Sequence, residues 1–216
     1  MGSGKKKISN RYDSWTPFYD FIDEFPLISR PQKNWKRRAV EYLNPSSGER
    51  ILDVGTGTAQ IIPWIVEDIE YGKIIGSDIS SSMIDYARER VSGLKGDVEV
   101  KIVHDDIENS KFSTDYFDKI ILTFTFTTVP NVEKAAEECA RILKPEGQMI
   151  VLDTGKPDRL SAKTLFYPMM VSAKIFGRTH MERDIKEKLN DHFQVEMLEE
   201  NLLGMVYTLK CCLQEK

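Results

Sequence analysis

The chain has 216 residues, enough to bury one substantial core and about the size of a single α/β domain. Hydrophobic residues are 41% and charged residues 30%, an ordinary soluble balance, and a formal net charge of −4 supplies no broad basic field for nucleic acid. No stretch approaches the ~18–20 apolar residues of a membrane-spanning helix, and the opening MGSGKKKISN lacks the apolar centre of a signal peptide, so a cytoplasmic location is expected. Lys5 to Lys7 read as a solvated tail, with peripheral attraction to an anionic membrane as the lesser reading.

In chain order, β-branched segments alternate with helical ones. RILDV at 50–54 is followed by a helix over 60–69, then KIIGSD at 73–78 and a helix over 81–91. VEVKIVHD at 98–105 and KIILTF at 119–124 come next, before a helix over 132–143 and QMIVLD at 148–153. That alternation predicts a Rossmann-like, doubly wound α/β domain whose mostly parallel sheet is covered on both faces. In KPEGQ, Pro145 and Gly147 predict a helix-to-strand turn, the glycine tolerating a left-handed backbone. FQVEMLEENLL and MVYTLKCCLQ, parted by Gly204, predict a closing antiparallel hairpin whose second strand joins the parallel set, seven strands in all.

Cys139, Cys211 and Cys212 are odd in number and show no CxxC spacing, so reduced structural thiols are expected. His104, His180 and His192 are scattered and no HExxH exists, so no metal is expected.

ILDVGTGTAQ, residues 51–60, carries the chemistry. In a doubly wound sheet ligands bind at the carboxyl ends of the strands, and the first turn is glycine-rich. A nicotinamide fingerprint would need glycine at position 60, where the residue is Gln60. The pattern present is D-x-G-x-G-x-A, Asp53 to Ala59. An acidic residue ahead of the first glycine repels a diphosphate and suits a ligand bearing ammonium or sulfonium, as S-adenosylmethionine does. Asp78 ends the second predicted strand, placed to accept both ribose hydroxyls. His104-Asp105-Asp106-Ile107 ends the third, where a carboxylate and the Ile107 N–H face an adenine edge. In DISSSMIDYA, serines cap a helix that sets Met83 on the adenine face, and Ile79 is a further cofactor-binding candidate.

DVGTGTA, GSDISSSMIDYA, HDDIENSKF, FDKIILTFTFTTVPN and ILKPEGQMIVLD together resemble the class I S-adenosylmethionine-dependent methyltransferases over residues 48–153. The resemblance implies that Gly55 and Gly57 hold the methionine part, Asp78 the ribose, and Asp106 and Ile107 the adenine. Thr123, just after the fourth strand, would face the methionine amine through its backbone, and S-adenosylhomocysteine would be the product. RYDSWTPFYDFIDEF, NWKRRAV and LDTGKP narrow the likeness to the ubiquinone and menaquinone biosynthesis methyltransferases, which methylate a ring carbon of a prenylated quinol precursor. It implies a helical lid over 1–45, with Tyr12 and Tyr19 as cofactor contacts, ahead of a methyltransferase domain over 46–216. Trp35 is expected to pack that segment on the sheet, and the apolar run from Leu165 to Phe176 either covers a greasy acceptor or completes the core.

The chain departs from that pattern at Thr127-Thr128, where the family places an arginine–asparagine pair, and in a shortened segment between Gly177 and Asn190. Val129-Pro130 also resembles soluble bacterial phosphatidylethanolamine methyltransferases. The acceptor is therefore expected to be small or lipid-like, of quinol or phospholipid amine type. Where the acceptor needs a base, His180, Tyr19, His104 and Asp153 are the candidates. Two other readings stay open, a catalytically silent cofactor-binding protein and a nicotinamide-dependent dehydrogenase; the oligomeric state is not readable.

Overall fold

The computed structural model describes residues 26–155, 180 and 183–214. Its seven strands are β1 (Arg50–Val54), β2 (Tyr71–Asp78), β3 (Asp97–His104), β4 (Phe117–Thr123), β5 (Leu143–Thr154), β6 (Phe193–Asn201) and β7 (Val206–Leu213). They form one sheet in the order β3-β2-β1-β4-β5-β7-β6. β1 to β5 pair in parallel, while β7 runs antiparallel to both β5 and β6. The chain winds outward from β1 to β3, then restarts at β4 on the other side of β1, and such a reversal opens a crevice at the strands' carboxyl ends.

Side-chain alternation divides the core between the two faces. On one, Ile51, Ile74, Ile121, Ile150 and Leu152 meet α1 (Pro26–Leu43), α2 (Ile62–Glu67) and α3 (Ser81–Val91) through Ala39, Leu43, Ile62, Ile65 and Ile84. Trp35 packs against this layer, as expected. On the other, Leu52, Val54, Ile120, Leu122 and Val151 meet α4 (Val132–Ile142) and α5 (Ile185–Leu189). In α4, Val132, Ala135, Ala136, Cys139 and Ile142 recur at three- and four-residue spacing, and all are buried. The Asn131 side chain caps the first turn by accepting from Lys134 N at 2.9 Å. Burial raises the pKa of the Cys139 and Cys211 thiols, the latter to about 12, so both behave as inert apolar groups.

Two sequence expectations are corrected. The helix expected over 60–69 is only Ile62–Glu67, because Pro63 is tolerated in a first turn and forces the start to lie beside it. The KPEGQ segment is not a free turn: β5 begins at Leu143, opposite Phe117, and resumes pairing at Gln148, opposite Lys119. Lys144, Pro145, Glu146 and Gly147 bulge out against the single residue Asp118, to which Lys144 is ion-paired. Gly147 is required there for space rather than for left-handed backbone: its φ is not positive, and a Cβ would lie 2.9 Å from Asp118 O and 2.6 Å from Leu143 Cδ1.

Candidate active site

β1 delivers Asp53 into the crevice, flanked by Gly76 of β2 and Ile121 of β4. The carboxylate is 1% exposed. Its Oδ2 accepts from Thr56 Oγ1 at 2.5 Å, while its Oδ1 is buried with no hydrogen-bond partner. Burial pushes the Asp53 carboxyl up to about 7, against the opposing pulls of the Thr56 hydroxyl and the Lys36 charge; Asp78 adds a further push upward. A buried, unpartnered carboxylate oxygen is costly, and a cation or donor arriving from the crevice relieves that cost.

The loop after β1 is shaped by two glycines for two different reasons. Gly55 has φ 64°, and a Cβ on it would fall 2.6 Å from Thr125 Oγ1, which itself donates to Val54 O at 3.0 Å. Gly57 has φ 54°, and a Cβ there would meet nothing within 4 Å. Close packing of two loops demands the first, and the second borders open space. Gly55→Ala should therefore cost about 2–4 kcal/mol, adding clash to left-handed strain, whereas Gly57→Ala should cost about 1–2 kcal/mol. Denaturant unfolding checks the order, and equal losses would contradict it. Ala59, which ends the D-x-G-x-G-x-A pattern, also has positive φ, 58°.

Asp78 closes β2 with Oδ2 accepting from Gly57 N at 2.9 Å and Oδ1 from Ser80 N at 2.8 Å. Burial raises its pKa, partly offset by the backbone donors of Ser80, Gly57 and Ile79. Ser80 caps α3 by accepting from Met83 N at 3.3 Å. The Met83 side chain is buried yet belongs to neither face's core. His104 lies opposite Asp78 in the β2–β3 register. After β3, the Asp106 carboxylate accepts from Glu108 N at 3.1 Å and starts a 3-10 turn, Ile107–Asn109. The Ile107 side chain packs into the core.

Past β1 the crevice continues over β4 and β5. Thr123 is the last residue of β4 rather than beyond it, and Phe124, at φ 57°, turns the chain while donating to Leu152 O at 2.7 Å. Thr127 donates through N (3.3 Å) and Oγ1 (2.8 Å) to the fully buried Asp153, which also accepts from Thr154 N at 2.7 Å. Burial pushes the Asp153 carboxyl up to about 6. The Thr127 carbonyl accepts from His180 N at 2.8 Å, and Arg183 donates to the carbonyls of Phe126, Val129 and Pro130. Thus Thr127 ties Asp153 to His180, and Arg183 clamps the loop they share. Tyr12, Tyr19 and the run from Leu165 to Phe176 lie outside the described residues.

Residues 1–179 match the model of the ubiE/COQ5 methyltransferase family. The chain belongs to this family. It is similar to the ubiquinone/menaquinone biosynthesis C-methyltransferase UbiE of Vibrio vulnificus, 28% identical over 205 residues, covering 93% of this chain and 78% of that one. The demethylmenaquinone methyltransferase of Bacteroides fragilis is 27% identical over 165 residues, or 76% of this chain and 67% of that one. Among solved structures, the YcgJ protein of Bacillus subtilis shares the fold at a TM-score of 0.69 and 15% identity, over 85% of this chain and all of that one. So does an S-adenosylmethionine-dependent methyltransferase of Aquifex aeolicus, at a TM-score of 0.56 and 21% identity, over 82% and 88%. This ubiE/COQ5 member is accordingly an S-adenosylmethionine-dependent methyltransferase, which sets aside the dehydrogenase and the silent binder.

Thr56, Thr125, Lys36 and Arg183 escaped the sequence reading. A hydroxyl three residues after Asp53 was the one visible signal, for Thr56; the others reach the site from loops or helices distant in sequence.

Proposed function

We propose that this chain transfers the methyl of S-adenosylmethionine to a ring carbon of a lipid-like quinol precursor, with the cofactor lying across the carboxyl ends of β1 to β4. The observation that carries the reading is the buried, unpartnered Oδ1 of Asp53, on the strand that leads into the loop of Gly57, where a Cβ would meet nothing within 4 Å. A ligand ammonium supplies the missing partner there, and backbone at Gly55 and Gly57 accommodates the methionine part. Asp78 holds the ribose, Ile79 and Met83 lie along the adenine, Asp106 and the Ile107 N–H meet its edge, and the Thr123 backbone faces the amine. Tyr19 stays a candidate lid contact within residues 1–45. When bound, the cofactor supplies a methyl on sulfonium, with a thioether leaving group that needs no proton.

The protein's own part is to orient and to keep dry, since in-line displacement rewards collinear, water-free reactants. Of the candidate bases, Asp153 already accepts three hydrogen bonds and is fully buried, which suits positioning of Thr127 rather than proton removal from an acceptor. His104 stands on the Asp78 side, by the ribose. His180, whose backbone N–H donates to the Thr127 carbonyl, is the group proposed to take a proton from the quinol. The quinol class is supported by the names of the Vibrio and Bacteroides relatives. A phospholipid amine is the second reading, favoured by Val129-Pro130, which resembles the soluble bacterial phosphatidylethanolamine methyltransferases.

Transfer of labelled methyl from S-adenosylmethionine tests this directly. The label should enter a demethylmenaquinol supplied in detergent; label in phosphatidylethanolamine alone would select the amine, and binding by calorimetry without transfer to either would defeat both acceptors.

A further inference from the structure

The β6–β7 hairpin turns at Leu202 and Leu203, whose φ values are 48° and 57°, followed by Gly204 at 86°. Two consecutive leucines in the left-handed region are strained, and asparagine or glycine would sit there more easily. Both side chains are also exposed, 44% and 47%. Among the described residues, the other large exposed hydrophobics are Tyr71 and Tyr86, neither next to the tip in the chain. Among the described residues neither leucine belongs to a buried core cluster, and strain kept at a surface points to a use outside the fold.

The tip's place shows what that use is. Asn201 pairs with Val206, Val206 pairs with Thr154, and Met205 O accepts from Gly155 N at 3.0 Å. The leucines therefore stand beside the carboxyl end of β5, next to Asp153 and the acceptor half of the crevice. We propose that Leu202 and Leu203 form a wedge that enters a charge-neutral lipid bilayer and brings the acceptor end of the crevice to its surface. This rests on the lipid-like acceptor reading. Two side chains are too few for a protein partner, whose stable interface covers about 800 Å² per side, whereas lipid surrounds an apolar tip without shape complementarity. The exposed Glu200 beside the tip opposes an anionic surface. Two leucines make contact reversible, as delivery and release of successive acceptors require.

The test compares the full chain with the double variant Leu202→Asn/Leu203→Asn by co-sedimentation with phosphatidylcholine vesicles. The wild type is expected to bind, and the variant to bind about tenfold or more weakly. The variant's thermal midpoint should hold or rise, because asparagine relieves the strain. Methyl transfer to acceptor dissolved in the vesicles should fall with binding, and transfer to a short-chain soluble analogue should not change. No vesicle binding by the wild type, equal binding by the variant, or binding that appears only on adding anionic lipid would each overturn the wedge. A thermal midpoint lowered by several degrees would do the same by making the leucines structural. Failure of transfer to every acceptor would instead defeat the acceptor reading, while the vesicle measurement still judges the wedge.

Discussion

Asp78→Ala should weaken S-adenosylmethionine binding by roughly 10- to 100-fold if, as proposed, it removes the acceptor for two ribose hydroxyls, worth about 1.5–3 kcal/mol as charge-assisted bonds. The same carboxylate accepts from Gly57 N and Ser80 N, so the variant also strips partners from two backbone donors of the glycine loop and the α3 start. That should cost about 1–3 kcal/mol, lowering the thermal midpoint by about 2–10 °C without abolishing folding. Asp78→Asn separates the two effects: its amide oxygen can still accept one backbone bond, so stability should largely return while the charge on the ribose hydroxyls does not. Calorimetric titration with S-adenosylmethionine reads the first quantity and scanning calorimetry the second. An unchanged affinity in Asp78→Ala would remove the ribose from this carboxylate.

What sequence could show at this site was whatever chain-local chemistry determines. Asp53, Gly55, Gly57 and Asp78 are legible because a strand's carboxyl end, a bare loop and an acid at the next strand end follow one another in the chain. The α3 bounds are equally local, since Ser80 caps the helix from its own neighbourhood. Sequence proximity misleads at KPEGQ, where strong turn residues are recruited to the sheet because Leu143 and Gln148 both find partners on β4. It is silent on Thr125, which crosses 71 residues to bond Val54, and on Arg183, which crosses more than 50 to hold Phe126, Val129 and Pro130. Leu202 and Leu203 were hidden for a further reason: leucine carries no propensity for the left-handed backbone it adopts there, so only the fold reveals that the tip is strained.

The same locality explains why the cofactor is easier to name than the acceptor. The proposed cofactor contacts lie at strand ends whose order the chain dictates. The proposed acceptor end depends on Thr127 meeting Asp153 and His180 from three separate segments. There the arginine–asparagine pair of the family gives way to threonines, and one of them serves mainly to fasten its neighbours.

If Asp53 holds the ligand ammonium, as proposed, cofactor affinity should depend on pH in a definite direction. Its carboxyl, pushed up to about 7 by burial, is mostly protonated at pH 6 and mostly ionised at pH 7.5, and only the ionised form attracts an ammonium. S-adenosylmethionine should thus bind roughly 5- to 10-fold more tightly at pH 7.5 than at pH 6, a window below the ligand's own α-amino pKa of about 7.7–8.0. Stability of the ligand-free protein runs the opposite way. A carboxyl with a folded pKa above its ordinary 3.8 stabilises the fold fully below that value and loses the contribution as pH rises through about 7. Asp153, pushed to about 6, and Asp78, also raised, add to the same downward slope. Asp53→Asn removes one ionisation and leaves the other two. It should raise the ligand-free thermal midpoint at pH 7.5, weaken S-adenosylmethionine binding by about 10- to 100-fold there, and flatten the affinity profile between pH 6 and 7.5. A gain in stability joined to a loss of affinity is the signature of a buried charge kept for its ligand, and a variant that loses both would mark Asp53 as structural.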